Sequence, residues 1–141
     1  RVNQEVSSRE EIAKLYQQSF SAPQDIALIN AKSQNSSIDI PELADLQGRI
    51  YAIRDLSEDL RKKIFFIPQE SIPNHCSLDA IISDPFSCQE IAEWRRQELI
   101  EGKGLIDSLE KRNLDLGGRS VVRFLTRGIQ AYIEQELTYN N

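Results

Sequence analysis

The sequence predicts an all-α fold, a single bundle of about five or six helices with one long central helix, and three observations carry that prediction. The 141 residues hold 17 Ile and 14 Leu against only 4 Val, with Gln, Glu, Lys and Arg filling many positions between them, a balance that favours helices over strands. Apolar residues recur at steps of three and four, the period of a helix face. Pro, Gly and Ser fall between those runs, where helices start and stop.

The elements follow in order. Ser8 and Glu11 have the spacing of a capping box, and Ile12, Leu15, Tyr16 and Phe20 continue at helical steps, so a first helix is expected over 8–20. Ser21 before Ala22 and Pro23 suits a new N-cap with proline in the first turn, which predicts a short second helix through Ile26 and Ile29 to about Lys32. Residues 33–37 are polar and read as a loop. Leu43, Leu46, Ile50, Ile53, Leu60, Ile64 and Ile67 then fall at alternating four- and three-residue steps between Pro41 and Pro68. They predict one helix over 41–67, about 40 Å long at ~1.5 Å per residue; the alternative is a break near Asp55 to Ser57, with Ser57 capping a new helix. After the prolines at 68 and 73, Ser77 or Asp79 starts a one- to two-turn helix that ends before Pro85. A further helix is expected over 87–113 with Ile91, Trp94, Leu99, Ile106 and Leu109 inward, subject to interruption at Gly102 and Gly104. Gly117-Gly118 reads as a break, and from Ser120 the residues Val121, Val122, Leu125, Ile129, Tyr132, Ile133 and Leu137 form the broad apolar face of a last helix.

All of this fits one domain over 1–141. No Met occurs, even at position 1, so the expectation is a domain excised from or processed out of a longer chain. No apolar run exceeds four residues, far short of the ~20 that cross a bilayer, so no membrane role is expected. Two Cys are too few for a disulfide scaffold, and both Cys76 and Cys88 are therefore expected to be free thiols in an intracellular, cytoplasmic setting, with a Cys76–Cys88 disulfide around the short helix as the alternative. The net charge of −5 speaks against a nucleic-acid partner. That charge is uneven: residues 1–90 carry 9 basic against 14 acidic side chains, whereas residues 91–141 carry 8 of each. A polyanion would have to meet the C-terminal half.

Chemistry-bearing patterns are few. Gly117, Gly118, Arg119, Ser120, Arg123 and Arg127 form the first candidate site. A helix N-terminus offers free backbone N–H groups and a positive dipole end, the glycines allow close approach, and the arginines add charge. Against it stands a protein carboxylate such as Asp115 in the same place, or plain solvation of a basic face. The piece from Arg119 to Glu134 resembles the second helix of ribbon-helix-helix DNA-binding proteins over fewer than 20 residues. The place of that family's DNA-reading strand is taken here by residues 97–104, which lack a strand pattern, so its function is not carried over. The second candidate is the end of the 41–67 seam, where Leu60, Ile64 and Ile67 are expected to form an interaction face, for a protein partner or a second copy in a homodimer. His75, Cys76 and Cys88 are the only soft metal ligands, and a zinc site would need a carboxylate such as Asp79 or Asp84 in a spacing that matches no standard pattern. No metal and no cofactor are expected.

No nucleophile has a base in reach and no carboxylate pair has apolar shielding, so no catalytic residue is predicted. The leading expectation is a non-catalytic protein–protein interaction domain of the adaptor or regulatory kind. The alternative is binding of nucleic acid or a phosphorylated ligand through Gly117–Arg127.

Overall fold

The computed structural model of the chain describes residues 7–139. Its first helix, α1, spans Arg9–Asn30. Ser8 and Glu11 close the expected capping box, with the Glu11 N–H donating to Ser8 Oγ at 3.2 Å and the Ser8 N–H donating to Glu11 Oε1 at 3.0 Å. The two helices expected on either side of Ser21 are one. Ile12, Tyr16, Gln24 and Leu28 form a single buried stripe that stays in register across Pro23, while Pro23 itself faces solvent. Packing along that stripe outweighs the backbone hydrogen bond that proline cannot make. The helix stops at Lys32, which takes a left-handed φ of 56°, and the Ser33 N–H closes back on the Leu28 carbonyl at 2.9 Å.

The helix expected over 41–67 is interrupted at Asp55, where the alternative put the break, but the next helix starts at Leu56 with Asp55 and not Ser57 at its N-cap. Helix α2 covers Pro41–Arg54 and α3 covers Leu56–Arg61, with Asp55 between them. Lys63, at φ 59°, then ends α3 as Lys32 ends α1: the Ile64 N–H reaches the Asp59 carbonyl at 2.8 Å and the Lys63 N–H the Leu60 carbonyl at 3.0 Å. Beyond it the burial pattern changes period. Phe65 and Ile67 are buried while Ile64 and Phe66 are only partly so, an alternation of two. The apolar spacing thus marks the core correctly, with Leu43, Leu46, Ile50, Ile53, Leu60 and Ile67 all buried. It does not mark one helix.

Helix α4, Leu78–Ser83, is capped by Ser77, whose Oγ accepts from the Ala80 N–H at 3.1 Å. Helix α5, Gln89–Glu110, passes through Gly102 and Gly104 without a break and buries all five residues expected to face inward. Residues 97–104 are therefore helix, where the ribbon-helix-helix resemblance would need a strand. That helix, α6, spans Leu116–Tyr139 and so begins before Ser120, with both glycines inside its first turn. Among the described residues there is no strand, and no helix is long and apolar enough to cross a membrane.

The bundle is a single body organised around α2 and α5, which pack on each other, with α1 packed on α2 and α6 packed on α5, and with α6 also touching α1 and α2. The central pair takes the place of the single spine that was expected. Two glycines permit the closest approaches. At Gly102 a Cβ would stand 3.1 Å from both Ile50 Cδ1 and Ile133 Cδ1, where three helices meet. At Gly48 a Cβ would overlap the ring of Tyr16, which lies flat against α2. Gly48→Ala should therefore destabilise the protein by about 1–3 kcal/mol, because overpacking outweighs the ~1 kcal/mol of helix propensity that alanine brings. A urea midpoint that rises on substitution would show that the Tyr16 ring swings aside freely.

Cys76 and Cys88 form a disulfide, which corrects the expectation of two free thiols. The cause is local: α4 and the following 3₁₀ turn, Pro85–Ser87, reverse the chain and bring the two Cα atoms to 6.7 Å. The intracellular reading rested on those thiols and loses that support.

Candidate functional site

The structure splits the first sequence-predicted site in two. Its glycines belong to a closed junction between the end of α1 and the start of α6. Gly117 lies so close to α1 that a Cβ would stand 2.5 Å from the Ala31 carbonyl oxygen, and Gly118 is buried. Asp115 caps α6, its Oδ1 accepting from the Gly118 N–H at 2.7 Å. The same carboxylate accepts from the Ser33 hydroxyl at 2.7 Å and from the Gln34 N–H at 2.6 Å, and Asn35 Oδ1 accepts from the Asp115 N–H at 3.0 Å. These bonds, the Ser33 hydroxyl first and the Gly118 and Gln34 amides after it, hold the Asp115 carboxyl below the usual carboxylate range. The anion expected at this helix end is thus a side chain of the protein itself.

The arginines of the same stretch go elsewhere. Arg119, Arg123 and Arg127 are exposed along the rim of a groove of about 610 Å³ between α5 and α6. Ile106 and Leu109 from α5, Leu114 from the connection and Val122 from α6 give it an apolar floor. Thr126 also lines it, but its hydroxyl is engaged by the Val122 carbonyl at 2.8 Å. None of the three arginines forms an ion pair with a described carboxylate. On the exposed side of the same helix, Leu116 and Phe124 are 74% and 75% exposed. Ser120 is exposed there too and makes no contact with the groove. Glu110 and Glu134 line the groove as well, so it is mixed in charge at its edges and basic along α6.

The second sequence-predicted site is not at the surface. Leu60 and Ile67 are fully buried and Ile64 is half-buried, so the interaction face expected there is turned into this chain's own core. The left-handed turn at Lys63 is the reason, since it folds Phe65 and Ile67 back onto the bundle.

Sequence reasoning missed a buried charge cluster. Glu98 of α5 is 4% exposed and accepts from Arg49 Nη1 of α2 at 2.9 Å and from Arg9 Nη1 of α1 at 3.1 Å. Arg49 Nε reaches Asp45 at 2.9 Å. Tyr16 lies beside the cluster, and burial first, with the Glu98 charge second, pushes its phenol well up from its usual range. With both guanidinium groups engaged on Glu98, the cluster ties three helices together. No local spacing announces it, because its members are 49 and 89 positions apart.

Around the disulfide, His75, Cys76 and Glu90 gather with one potential ligand atom each, all within 4.8 Å of one another. The carboxylate is Glu90, from the first turn of α5, and not Asp79 or Asp84. Compared with protein-family models, with curated proteins and with solved structures, the chain matches none.

Proposed function

We propose that the domain is a non-catalytic adaptor that takes an acidic, amphipathic helix of a protein partner into the α5–α6 groove. The observation that carries this reading is the unpaired series Arg119, Arg123 and Arg127 beside an apolar floor, with Leu116 and Phe124 exposed on the same helix. Arginine and aromatic side chains are the groups most enriched in protein interfaces, and an apolar groove with a basic rim complements a helix with Leu at i, i+3, i+4 and i+7 and Glu between them. A second reading, a phosphorylated or nucleic-acid ligand on the same arginines, is favoured by their four-residue spacing along one helix.

Binding of a designed Leu/Glu amphipathic peptide, followed by chemical-shift changes, tests the first reading. The peptide should bind on Ile106, Leu109, Val122 and the arginines. A peptide of the same composition in scrambled order should not, and Arg119→Glu with Arg123→Glu should weaken binding at least about tenfold, since close like-charge contacts cost over ~1.4 kcal/mol. Equal binding of the scrambled peptide, with steep loss in salt, would favour the second reading.

A further inference from the structure

We propose that His75, Cys76, Cys88 and Glu90 form a redox-gated zinc site: reduction of the disulfide creates a four-ligand site for Zn²⁺, and oxidation expels the metal. The inference is independent of the groove. It starts from the four side chains standing together at the N-terminus of α5. His75 Nε2 lies 3.3 Å from Glu90 Oε1, and Cys88 Sγ lies 3.4 Å from Glu90 Oε2. His75, Cys76 and Glu90 converge within 4.8 Å, and Cys76 and Cys88 are bonded sulfur to sulfur.

Zinc takes four ligands in a tetrahedron with bonds of about 2.0–2.1 Å to nitrogen or oxygen and about 2.3 Å to sulfur, which puts the ligand atoms roughly 3.3–3.8 Å apart. The His75 nitrogen and the Cys88 sulfur each already stand at such a spacing from the Glu90 carboxylate, on its two different oxygens, so a turn of the carboxylate is needed to present one oxygen to both. Opening the S–S bond frees the two sulfurs to separate, and side-chain rotation must then bring the Cys88 sulfur nearer to the His75 nitrogen than the 4.8 Å within which His75, Cys76 and Glu90 already stand. Two thiolates, an imidazole and one carboxylate oxygen are a donor set that selects Zn²⁺ over hard cations.

The surroundings suit both states. Cys88 precedes the first turn of α5, where the helix dipole favours a thiolate. His75 is exposed and Cys76 partly so, which leaves the sulfur open to an incoming thiol. The Cys76 amide is fixed to the Pro73 carbonyl at 3.1 Å, and Ser77 is fixed as the cap of α4, so the ligand-bearing segment keeps its shape when the S–S bond opens.

The chemistry balances with a small monothiol as reductant. One thiolate attacks a sulfur of the Cys76–Cys88 bond and forms a mixed disulfide. A second displaces the protein sulfur, so two thiols become one small disulfide and the protein gains two electrons and two protons. Zn²⁺ then displaces those two protons to solvent as it binds both thiolates. In reverse, the small disulfide takes the two electrons back, the S–S bond re-forms and Zn²⁺ leaves.

The test uses the full chain, reduced under anaerobic conditions or fully oxidised, titrated with Zn²⁺ against a chromophoric chelator. Co²⁺ serves as the spectroscopic probe of geometry. The reduced chain should bind one Zn²⁺, give the intense visible bands of tetrahedral Co²⁺ with thiolate charge transfer, and change the fluorescence of its single tryptophan, Trp94, one turn beyond Glu90. The oxidised chain should bind none. His75→Asn and Glu90→Gln are at exposed or partly exposed positions, and each should lower affinity at least tenfold, whereas Glu93→Gln should not. Absence of stoichiometric binding by the reduced chain, binding that persists in the oxidised chain, or indifference to both His75→Asn and Glu90→Gln overturns the proposal.

Discussion

Ile53→Asp is expected to unfold the protein. Ile53 lies in the last turn of α2, is 5% exposed, and belongs to the same core cluster as Ile50, Leu56 and Leu60. Loss of the aliphatic side chain costs about 2–5 kcal/mol. A carboxylate placed among those neighbours then either ionises without a partner or takes up a proton, at a further cost of several kcal/mol. Together these reach the ~5–15 kcal/mol that a domain of this size has available. Circular dichroism should show loss of helix at 25 °C, and sedimentation should show an expanded or aggregated chain. A folded monomer obtained from a wild-type dimer would instead place Ile53 between two chains.

The second large effect concerns the Arg9–Arg49–Glu98 cluster. Arg49→Met keeps most of the side chain's length and removes only the charge and its donors, which leaves Glu98, with its side chain 5% exposed, facing Arg9 alone. Arg9 is 44% exposed at its side chain and shares its field with water. Breaking a buried pair from one side typically costs 3–5 kcal/mol, and about 3 kcal/mol is expected here because one guanidinium remains. The double variant Arg49→Met with Glu98→Leu should recover most of that loss, since the penalty lies in the stranded charge more than in the lost attraction. A loss in the double variant equal to the sum of the two single ones would mean the cluster is not coupled.

What could be read in the sequence was whatever depends on neighbours along the chain. The Ser8–Glu11 capping box, the Ser77 cap and the inward face of α5 were all legible, because each depends on residues within a few turns of one another. The burial of Leu43 through Ile67 was legible too, but its geometry was not. A three-and-four spacing and an alternation of two share positions over a short run, and nothing in Lys62-Lys63 signals a left-handed turn. Pro23 misled in the opposite direction, as the only local evidence available was against a continuous helix. At the candidate site, the arginines were legible as a series and the groove was not, since its floor comes from α5. Glu98 and Glu90 were invisible, because their partners are brought to them by the fold.

The Asp115 clasp carries a consequence for time as well as for shape. Its bonds to Ser33 and Gln34 join positions 82 and 81 apart, whereas α1 and α2 are close in sequence and can pair early. A contact of that span requires closure of a long loop and so forms after the local helix pairs. Bonds made late in folding hardly alter how fast the native state is reached, but they govern how slowly it is left. The clasp therefore acts on the lifetime of the folded chain, as a brake on the departure of α6 from the bundle.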